Sequence, residues 1–345
     1  MTPGLLVHSA GPWCTVQDLG RSGFGRLGVA PAGALDPLLL RAANVLVGNA
    51  ETTAALEWTV RGGVFEIQAR SARVAVTGDC SLAIDGLPVA PWRSHRLTRG
   101  QRLSVEARGD LRGYLAIFGG FAIEPVLGSL STHVRSALGG WQGRTLRDGD
   151  ALPLRCDEAP PASELHVDLA ALGARPQALR IVWGPQDDAF AADVRERLLS
   201  STWHVSTHSD RMACRLTGPP LAHRSGPDIV SDGVLTGSIQ VPGSGEPMVL
   251  LADRQTTGGY PKIATVISAD LRHFAQLRPG EAVRFAAVDL DQAIALRAEQ
   301  EARFCAWARS VAGPRPAPDA AADAHVLATT NLVSGVSDAA DGPVV

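Results

Sequence analysis

Short apolar runs separated by glycine and proline dominate the chain. The runs at 73–77, 114–118 and 248–252 have the length and residue types of β-strands. The 36 glycines and 23 prolines fall largely between such runs, which indicates frequent turns. The pattern therefore predicts a mostly β fold.

Three stretches instead repeat their apolar residues with the period of a helix. The first, 37–47, follows Asp36, a typical N-cap residue, and precedes Gly48, a typical C-cap residue. The second covers 188–200 and the third covers 291–311. We expect these few helices to be the main departures from β-structure.

A weak internal repeat supports the β-rich prediction. The pattern Leu-x-x-Gly-polar-x-apolar begins at Leu97, Leu146 and Leu277. In each copy the glycine suits a turn position with positive φ, and the residues after it suit a strand. Each copy therefore predicts a turn followed by a strand, a unit that β-barrels and β-sandwiches use repeatedly.

Changes in composition divide the chain into three parts. The segment 156–163 is the best candidate for a linker. It predicts an N-terminal β-rich domain over 1–160 and a C-terminal β-rich domain over 161–309. The remaining residues, 310–345, are rich in alanine, proline and aspartate with little apolar periodicity, which predicts a disordered tail.

Charge and hydropathy exclude several functional classes. The net charge of −3 at pH 7 provides no basic surface for a nucleic-acid partner. No run approaches the roughly 18 apolar residues of a membrane span, so we expect no membrane partner. The first residues lack the regions of a signal peptide, and the five cysteines form no CxxC pair. A cytoplasmic location fits these features best.

Lys262 is the only lysine among 32 basic residues. A P-loop requires lysine followed by serine or threonine, but isoleucine follows Lys262. The preceding proline also excludes the Met-Lys-Met motif of biotin carriers, so we expect no covalently bound cofactor. A single lysine in an arginine-rich chain suggests that a compact ammonium group is needed at this position.

The densest group of polar and glycine residues follows the apolar run at 248–252. It could bind an anion, with Lys262 as a cation and Asp253 as a base. The candidate substrate-binding residues in this region are Arg254, Thr256, Thr257, Gly258, Gly259, Tyr260 and Gln240. The alternative interpretation is a tight hairpin loop with solvated polar residues.

A second candidate segment lies near the N-terminus. Gln17, Asp18 and Arg21 either line a substrate pocket or tie a long loop through side-chain hydrogen bonds. The glycines at 23–28 have the spacing GxGxxG, but no βαβ pattern follows, so we expect no dinucleotide site.

Two further pairs carry candidate chemistry. Arg211 and Arg215 either reach an acidic substrate or pair with structural carboxylates. His204 and His208 have the metal-binding spacing of a helix, but the local pattern predicts a strand. On a strand they would lie about 13 Å apart, so we expect no metal site.

Several motifs give the chain a family resemblance. They lie at 15–21, 33–36 with Ala43 and Asn44, 237–242 and 256–262. Over about 5–288 the chain resembles the family of the C-type subunit of 5-oxoprolinase, also called allophanate hydrolase subunit 2. This is the biotin-dependent carboxyltransferase family, to which the regulator KipA is related. The chain departs from the family pattern at Ala213, where glycine is favoured.

The resemblance implies a fold and an activity. The implied fold is a pair of tandem cyclophilin-like β-barrels. The implied activity is the ATP-dependent opening of 5-oxo-L-proline to L-glutamate by a complex with subunit-B-like and subunit-A-like partners, in which the complex uses ATP. In that reaction Lys262, Arg254 and the loop 256–259 would hold carboxylate and phosphoryl oxygens, with Asp253 as the base.

The same resemblance leaves two alternatives open. One is a carboxyltransferase component that moves CO2 from carboxybiotin to a urea-like or amide substrate, with biotin carried by a partner. The other is a non-catalytic, KipA-like regulator that binds a KipI-like partner. Fold-level similarity alone does not choose among the three.

Overall fold

The computed structural model describes residues 2–109, 111–161, 164–166 and 173–312, which form 21 β-strands and four α-helices. The strands of the first half are β1 (Gly4–Ala10), β2 (Thr15–Gln17), β3 (Ala55–Thr59), β4 (Gly63–Ile67), β5 (Ser71–Thr77), β6 (Cys80–Ile84), β7 (Leu87–Val89), β8 (Ser94–Thr98), β9 (Arg102–Ala107), β10 (Arg112–Ile117) and β11 (Ala151–Pro153). Those of the second half are β12 (Leu179–Trp183), β13 (Trp203–Val205), β14 (Ala213–Thr217), β15 (Asp232–Gly233), β16 (Ser238–Gln240), β17 (Met248–Leu250), β18 (Thr257–Gly258), β19 (Lys262–Val266), β20 (Ala282–Val283) and β21 (Phe285–Ala287). The helices are α1 (Pro37–Val47), α2 (Ala192–Ser200), α3 (Leu271–Ala275) and α4 (Leu290–Ala312).

Two antiparallel sheets form the first half. Their strand orders are β11-β1-β4-β9-β6-β7 and β2-β3-β10-β5-β8. Between them lies a core that includes Trp58, Phe65 and Phe121. Every residue of β5 and β10 is buried, because α1 covers the face that is turned away from this core.

One eight-stranded sheet forms the second half, in the order β20-β13-β14-β17-β16-β19-β12-β21. Its pairings are antiparallel except that of β12 with β21, which is parallel. The core of this half includes Phe190, Trp203 and Phe274. The short strands β15 and β18 pair separately. The prediction of a mostly β chain is correct.

The repeated glycine turns are confirmed. Gly100, Gly149 and Gly280 have φ values of +85°, +88° and +87°. Strands β9, β11 and β20 each begin two residues after one of these glycines. The repeat therefore marks turn–strand units in both halves of the chain.

The first predicted helix is confirmed at both ends. Asp36 Oδ1 accepts a hydrogen bond from the backbone N–H of Leu39 at 3.2 Å, and Pro37 occupies the first turn. Gly48 closes the helix with φ of +83°. The α1 helix therefore begins and ends where the cap residues predict.

The second predicted helix begins later than expected. A single 3-10 turn covers Asp187–Ala189, and Phe190 is extended because it bridges to His223 and buries its ring in the core. Helix α2 therefore begins at Ala192. Helix α3 was not predicted, since five residues are too few to show a helical period.

Helix α4 confirms the third prediction and returns to the first half of the chain. Phe304 and Trp307 pack in the same cluster as α1, and Arg41 Nη2 lies 2.6 Å from Glu301 Oε1. Within the described ranges, no helix is long and apolar enough to cross a membrane. Residues 313–345 of the predicted tail lie outside the described residues, and the proposed domain boundary near 160 stays a prediction.

Candidate functional site

A cavity of about 380 Å³ lies where the two halves of the chain meet, and we call it the junction cavity. Strands β2, β3 and β10 contribute Thr15, Thr59 and Arg112. The second half contributes, among others, Arg211, Cys214, Leu251, Asp253, Phe274 and Leu277. Its size is within the range of roughly 300–1,000 Å³ that is usual for small-molecule sites.

Arg211 joins carboxylates from both halves at the edge of this cavity. Its Nε and Nη2 donate to Oδ2 and Oδ1 of Asp253, both at 3.0 Å, and its Nη1 donates to Glu57 Oε1. Glu57 belongs to β3, whereas Asp253 follows β17. Burial lowers the pKa of Arg211, but the charges of Glu57 and Asp253 outweigh this effect and raise the pKa above its ordinary value. Of the two alternatives for Arg211, the pairing with structural carboxylates is the one that the structure contains.

Tyr114 extends the same network into the first half. Its hydroxyl donates to Glu57 Oε2 at 2.6 Å and accepts from the backbone N–H of Asp36 at 2.9 Å. Burial, and then the charge of Glu57, raise the pKa of Tyr114 well above its ordinary value. The phenol therefore stays neutral and acts as a donor that fixes Glu57.

The turn before α1 carries the backbone contacts between the halves. Gly33 O accepts from Arg211 Nη2 at 2.6 Å, and the N–H of Ala32 donates to Ala252 O at 3.1 Å. Gly33 has φ of +95°, and a Cβ there would lie 2.9 Å from the backbone of Gly20. The motif at 33–36 thus has a geometric reason to contain glycine.

Cys214 is the thiol that lines the cavity. Burial raises its pKa to about 11, and a hydrogen bond from Ser209 opposes that rise only partly. The group is therefore a neutral thiol near pH 7 and a poor nucleophile. The geometry gives the cavity charged hydrogen-bonding groups rather than an activated thiol.

Gln17, Asp18 and Arg21 hold the loop that contains Ser129 and Ser131. Asp18 accepts hydrogen bonds from both serine hydroxyls, at 2.7 and 2.5 Å, and from the N–H of Leu130 at 2.6 Å. Gln17 donates to Thr132 O at 3.0 Å, and Arg21 Nη2 donates to Ser131 O. These contacts match the alternative in which the three residues tie a long loop through side-chain hydrogen bonds. Their assignment as substrate-binding residues stays a prediction, and Gln17 Oε1 and Arg21 Nη1 are buried without a partner among the described residues.

Lys262 and Asp253 belong to two different ion pairs. Its buried Nζ donates to Asp232 Oδ2 at 2.6 Å and to Gly233 O at 3.1 Å. The hydrogen bond from Lys262 lowers the pKa of Asp232. Within the described residues no hydrogen bond or ion pair joins Lys262 to Asp253, so the two predicted catalytic groups are not brought into contact.

The other predicted loop residues form a polar network beside Lys262. Gln255 donates to Gln240 Oε1 at 3.2 Å, and Gln240 in turn donates to Tyr260 O at 3.2 Å. Arg254 Nε donates to Thr236 Oγ1 at 3.2 Å. Thr257 and Gly258 form β18, Gly259 O accepts from Ile229 N–H, and Thr256 O accepts from Val234 N–H. The segment is therefore held by pairing with residues 229–236, and its role in substrate binding stays a prediction.

Sequence reasoning missed two charged residues at this site: Arg112, which lines the junction cavity, and Glu57, which contacts the lining residue Arg211. Glu57 is the one acidic residue of β3, a wholly buried strand. Arg112 begins β10, which is otherwise uncharged and also wholly buried. A single charge in an apolar strand was the available signal, because an ionised group is buried only where it has a partner. Among the described residues, no group of three or more potential ligands could hold a metal ion.

The chain is similar to proteins of a known family. A family model, the carboxyltransferase domain, subdomain A and B, matches residues 27–287. The chain is 37% identical over 308 residues to the C-type subunit of 5-oxoprolinase from Escherichia coli (strain K12), covering 88% of this chain and 98% of that relative. It is 38% identical over 293 residues to the protein of the same name from Haemophilus influenzae, covering 83% and 92%.

A solved structure shows the same fold. The urea carboxylase of Kluyveromyces lactis superposes with a TM-score of 0.83 at 28% identity, covering 89% of this chain and 29% of that one. This similarity, together with the two sheet cores, confirms the expected fold class of tandem β-barrels with a few helices.

Proposed function

Because the chain belongs to the carboxyltransferase-domain family, we propose that it is the C-type subunit of a 5-oxoprolinase complex. The observation that carries this proposal is the near full-length match to the E. coli protein, at 37% identity over 98% of its length. The name of that relative implies further subunits, and we propose subunit-B-like and subunit-A-like partners. The complex would work in the cytoplasm and use ATP.

The proposed reaction is the opening of 5-oxo-L-proline to L-glutamate. A five-membered lactam is stable near neutral pH, so its oxygen must be activated before water attacks the carbonyl carbon. Transfer of the terminal phosphoryl group of ATP to that oxygen, with release of ADP, would provide the activation. Water would then attack the ring carbon, the C–N bond would break and phosphate would leave, while cationic groups stabilise the charge on oxygen. At the junction cavity, Arg211 would serve this purpose once a ligand loosens its pairing with Asp253.

Asp253 and Lys262 have separate roles in this proposal. Asp253 lines the junction cavity, where it would serve as a base once a ligand loosens its pairing with Arg211. Lys262 and Arg254 would hold phosphoryl oxygens at the neighbouring polar network. In this arrangement Asp253 and Lys262 contribute to different parts of the reaction.

A second candidate function is carboxyl transfer. The family description and the similarity to urea carboxylase support it. The chain spans only 29% of that structure, so biotin and its carboxylation would belong to partner proteins. In this alternative the cationic groups would hold the carboxyl group of carboxybiotin.

Co-purification with the products of neighbouring genes tests the proposal. We expect subunit-A-like and subunit-B-like proteins to purify with the chain, and ATP hydrolysis by the complex to rise when 5-oxo-L-proline is added. A biotin carboxylase in the purified complex, with turnover of a urea-like substrate, would favour carboxyl transfer instead. A KipI-like partner without substrate-stimulated turnover would contradict both enzymatic functions.

A further inference from the structure

Arg112 is a buried arginine whose carboxylate-binding edge has no partner among the described residues. It begins β10, lines the junction cavity and is only 7% exposed. Its Nη1 donates to Ala275 O, and its backbone N–H donates to Gln276 Oε1 at 3.0 Å. Within the part of the chain that the structure describes, Nε is buried without an acceptor. Across those same residues, the one hydrogen bond of the guanidinium goes from Nη1 to Ala275 O, and no ion pair joins it to a carboxylate.

Two other arginines of this chain show what that edge binds. Arg211 uses Nε and Nη2 to hold both oxygens of Asp253, at 3.0 Å each. Arg180 uses the same two atoms to hold Asp270, at 2.9 and 2.5 Å. The planar edge of a guanidinium matches the two oxygens of a carboxylate. Arg112 has this edge, but the described residues supply no carboxylate to it.

Glu57 is the acidic residue with the strongest electrostatic effect on Arg112, yet it is already engaged. Its Oε1 accepts from Arg211, and its Oε2 accepts from Tyr114 and from the backbone N–H of Leu35. A buried donor without an acceptor is unfavourable, so a ligand that supplies one gains affinity from it.

We propose that the junction cavity binds a small carboxylic acid through Nε and Nη2 of Arg112. Phe274 and Leu277, which line the same cavity, would contact the apolar part of the ligand. The identity of the ligand rests on the proposed function: 5-oxo-L-proline carries a carboxylate on a five-membered ring. Its analogue 2-pyrrolidinone has the same lactam ring without the carboxylate.

Arginine side-chain NMR of the full-length chain tests the contact directly. The Nε–H signal of Arg112 is assigned in a ¹⁵N-arginine sample by its loss in the Arg112→Lys variant. We expect millimolar 5-oxo-L-proline to shift this signal and 2-pyrrolidinone to leave it in place. The signal of Arg180, whose edge is filled by Asp270, is the internal control and stays unchanged.

Binding measurements give an independent readout. In Arg112→Gln, and in Arg112→Lys, which retains the charge without the planar edge, affinity for 5-oxo-L-proline is expected to fall on the order of tenfold to a hundredfold. Affinity for 2-pyrrolidinone should not change. If the glutamine variant does not fold, the lysine variant and the titration of the wild-type chain decide the question.

Two results would overturn the proposal. One is an Arg112 signal that does not respond to 5-oxo-L-proline, and the other is equal affinity in wild type and folded variants. A shifted Arg112 signal in a chain whose complete complex produces no L-glutamate would support the carboxylate site and refute the proposed oxoprolinase function. The two claims can therefore fail separately.

Discussion

Arg211 and Asp253 form a two-point ion pair, with Nε to Oδ2 and Nη2 to Oδ1 both at 3.0 Å. The remaining nitrogen of the same guanidinium reaches Glu57 in the first half of the chain. One side chain therefore links the two halves beside the junction cavity and is the ion-pair partner of both carboxylates.

Replacing Arg211 by methionine should strongly destabilise the protein. Two buried carboxylates would lose their counter-ion, and breaking a buried pair in this way costs about 3–5 kcal/mol. Denaturant unfolding of Arg211→Met measures the loss. The combined variant Glu57→Gln, Arg211→Met, Asp253→Asn should recover much of it, because no charge is then left unpaired. Equal stability of wild type and Arg211→Met would show that the pair does not hold the halves together.

Gly33→Ala should cost more stability than Gly48→Ala. Both glycines have positive φ, which costs an alanine about 1–2 kcal/mol. At Gly33 the added Cβ also lies 2.9 Å from the backbone of Gly20, whereas at Gly48 nothing lies within 4 Å. Urea unfolding of the two variants therefore separates crowding from strain. Equal losses would mean that the close approach of the two loops is not required.

Lys262→Met should lower the activity of the complex more than it lowers stability. Methionine has an apolar stem of similar length for the same buried position, and Asp232, the lost partner, is 54% exposed and can be hydrated. We expect L-glutamate formation to fall at least on the order of tenfold, with little change in the melting temperature. Asp232→Asn is the matched control, since it removes the ion pair and keeps the ammonium group. Full activity in Lys262→Met would show that the lone lysine is structural.

The stability of the protein should decrease as the pH falls from 6.5 towards 4, and His273 should account for part of the decrease. Burial, and then the charge of Arg272, lower the pKa of His273 from 6.5 to about 4. Between these values the unfolded chain binds a proton that the folded chain does not bind, so acid favours unfolding. Between pH 7 and pH 5 the effect is about 1 kcal/mol after allowance for partial exposure. The unfolding free energy of His273→Gln should be less sensitive to pH by that amount, and an unchanged pH profile would contradict the assignment.

Local sequence signals predicted the fold well where short-range chemistry decides the structure. The caps at Asp36 and Gly48 fixed α1, and three turn glycines marked the starts of strands. The start of α2 was wrong because Phe190 is drawn into the core through a bridge to His223, a contact 33 positions away that no local pattern contains. The pairing of the strands into sheets likewise depends on long-range contacts.

The site was harder to predict for the same reason. The polar segment after β17 was found because its composition is unusual, and Asp253 does line the junction cavity. Arg211 connects Asp253 to Glu57, which lies 154 positions before Arg211. No local pattern in the sequence shows this connection. Arg112 was also missed, because only the folded structure shows that this arginine is buried and lacks a carboxylate partner among the described residues.

Filling the junction cavity tests most directly the claim that this cavity is the working site of a 5-oxoprolinase complex. Val134 lines the cavity and is partly exposed, so Val134→Trp should fill the space with little effect on folding. Leu87→Trp, at a 72% exposed position that does not line the cavity, is the matched control. The measurement is ATP-dependent formation of L-glutamate from 5-oxo-L-proline by the complete complex. We predict that Val134→Trp abolishes it and Leu87→Trp preserves it, whereas full activity in Val134→Trp would contradict the account.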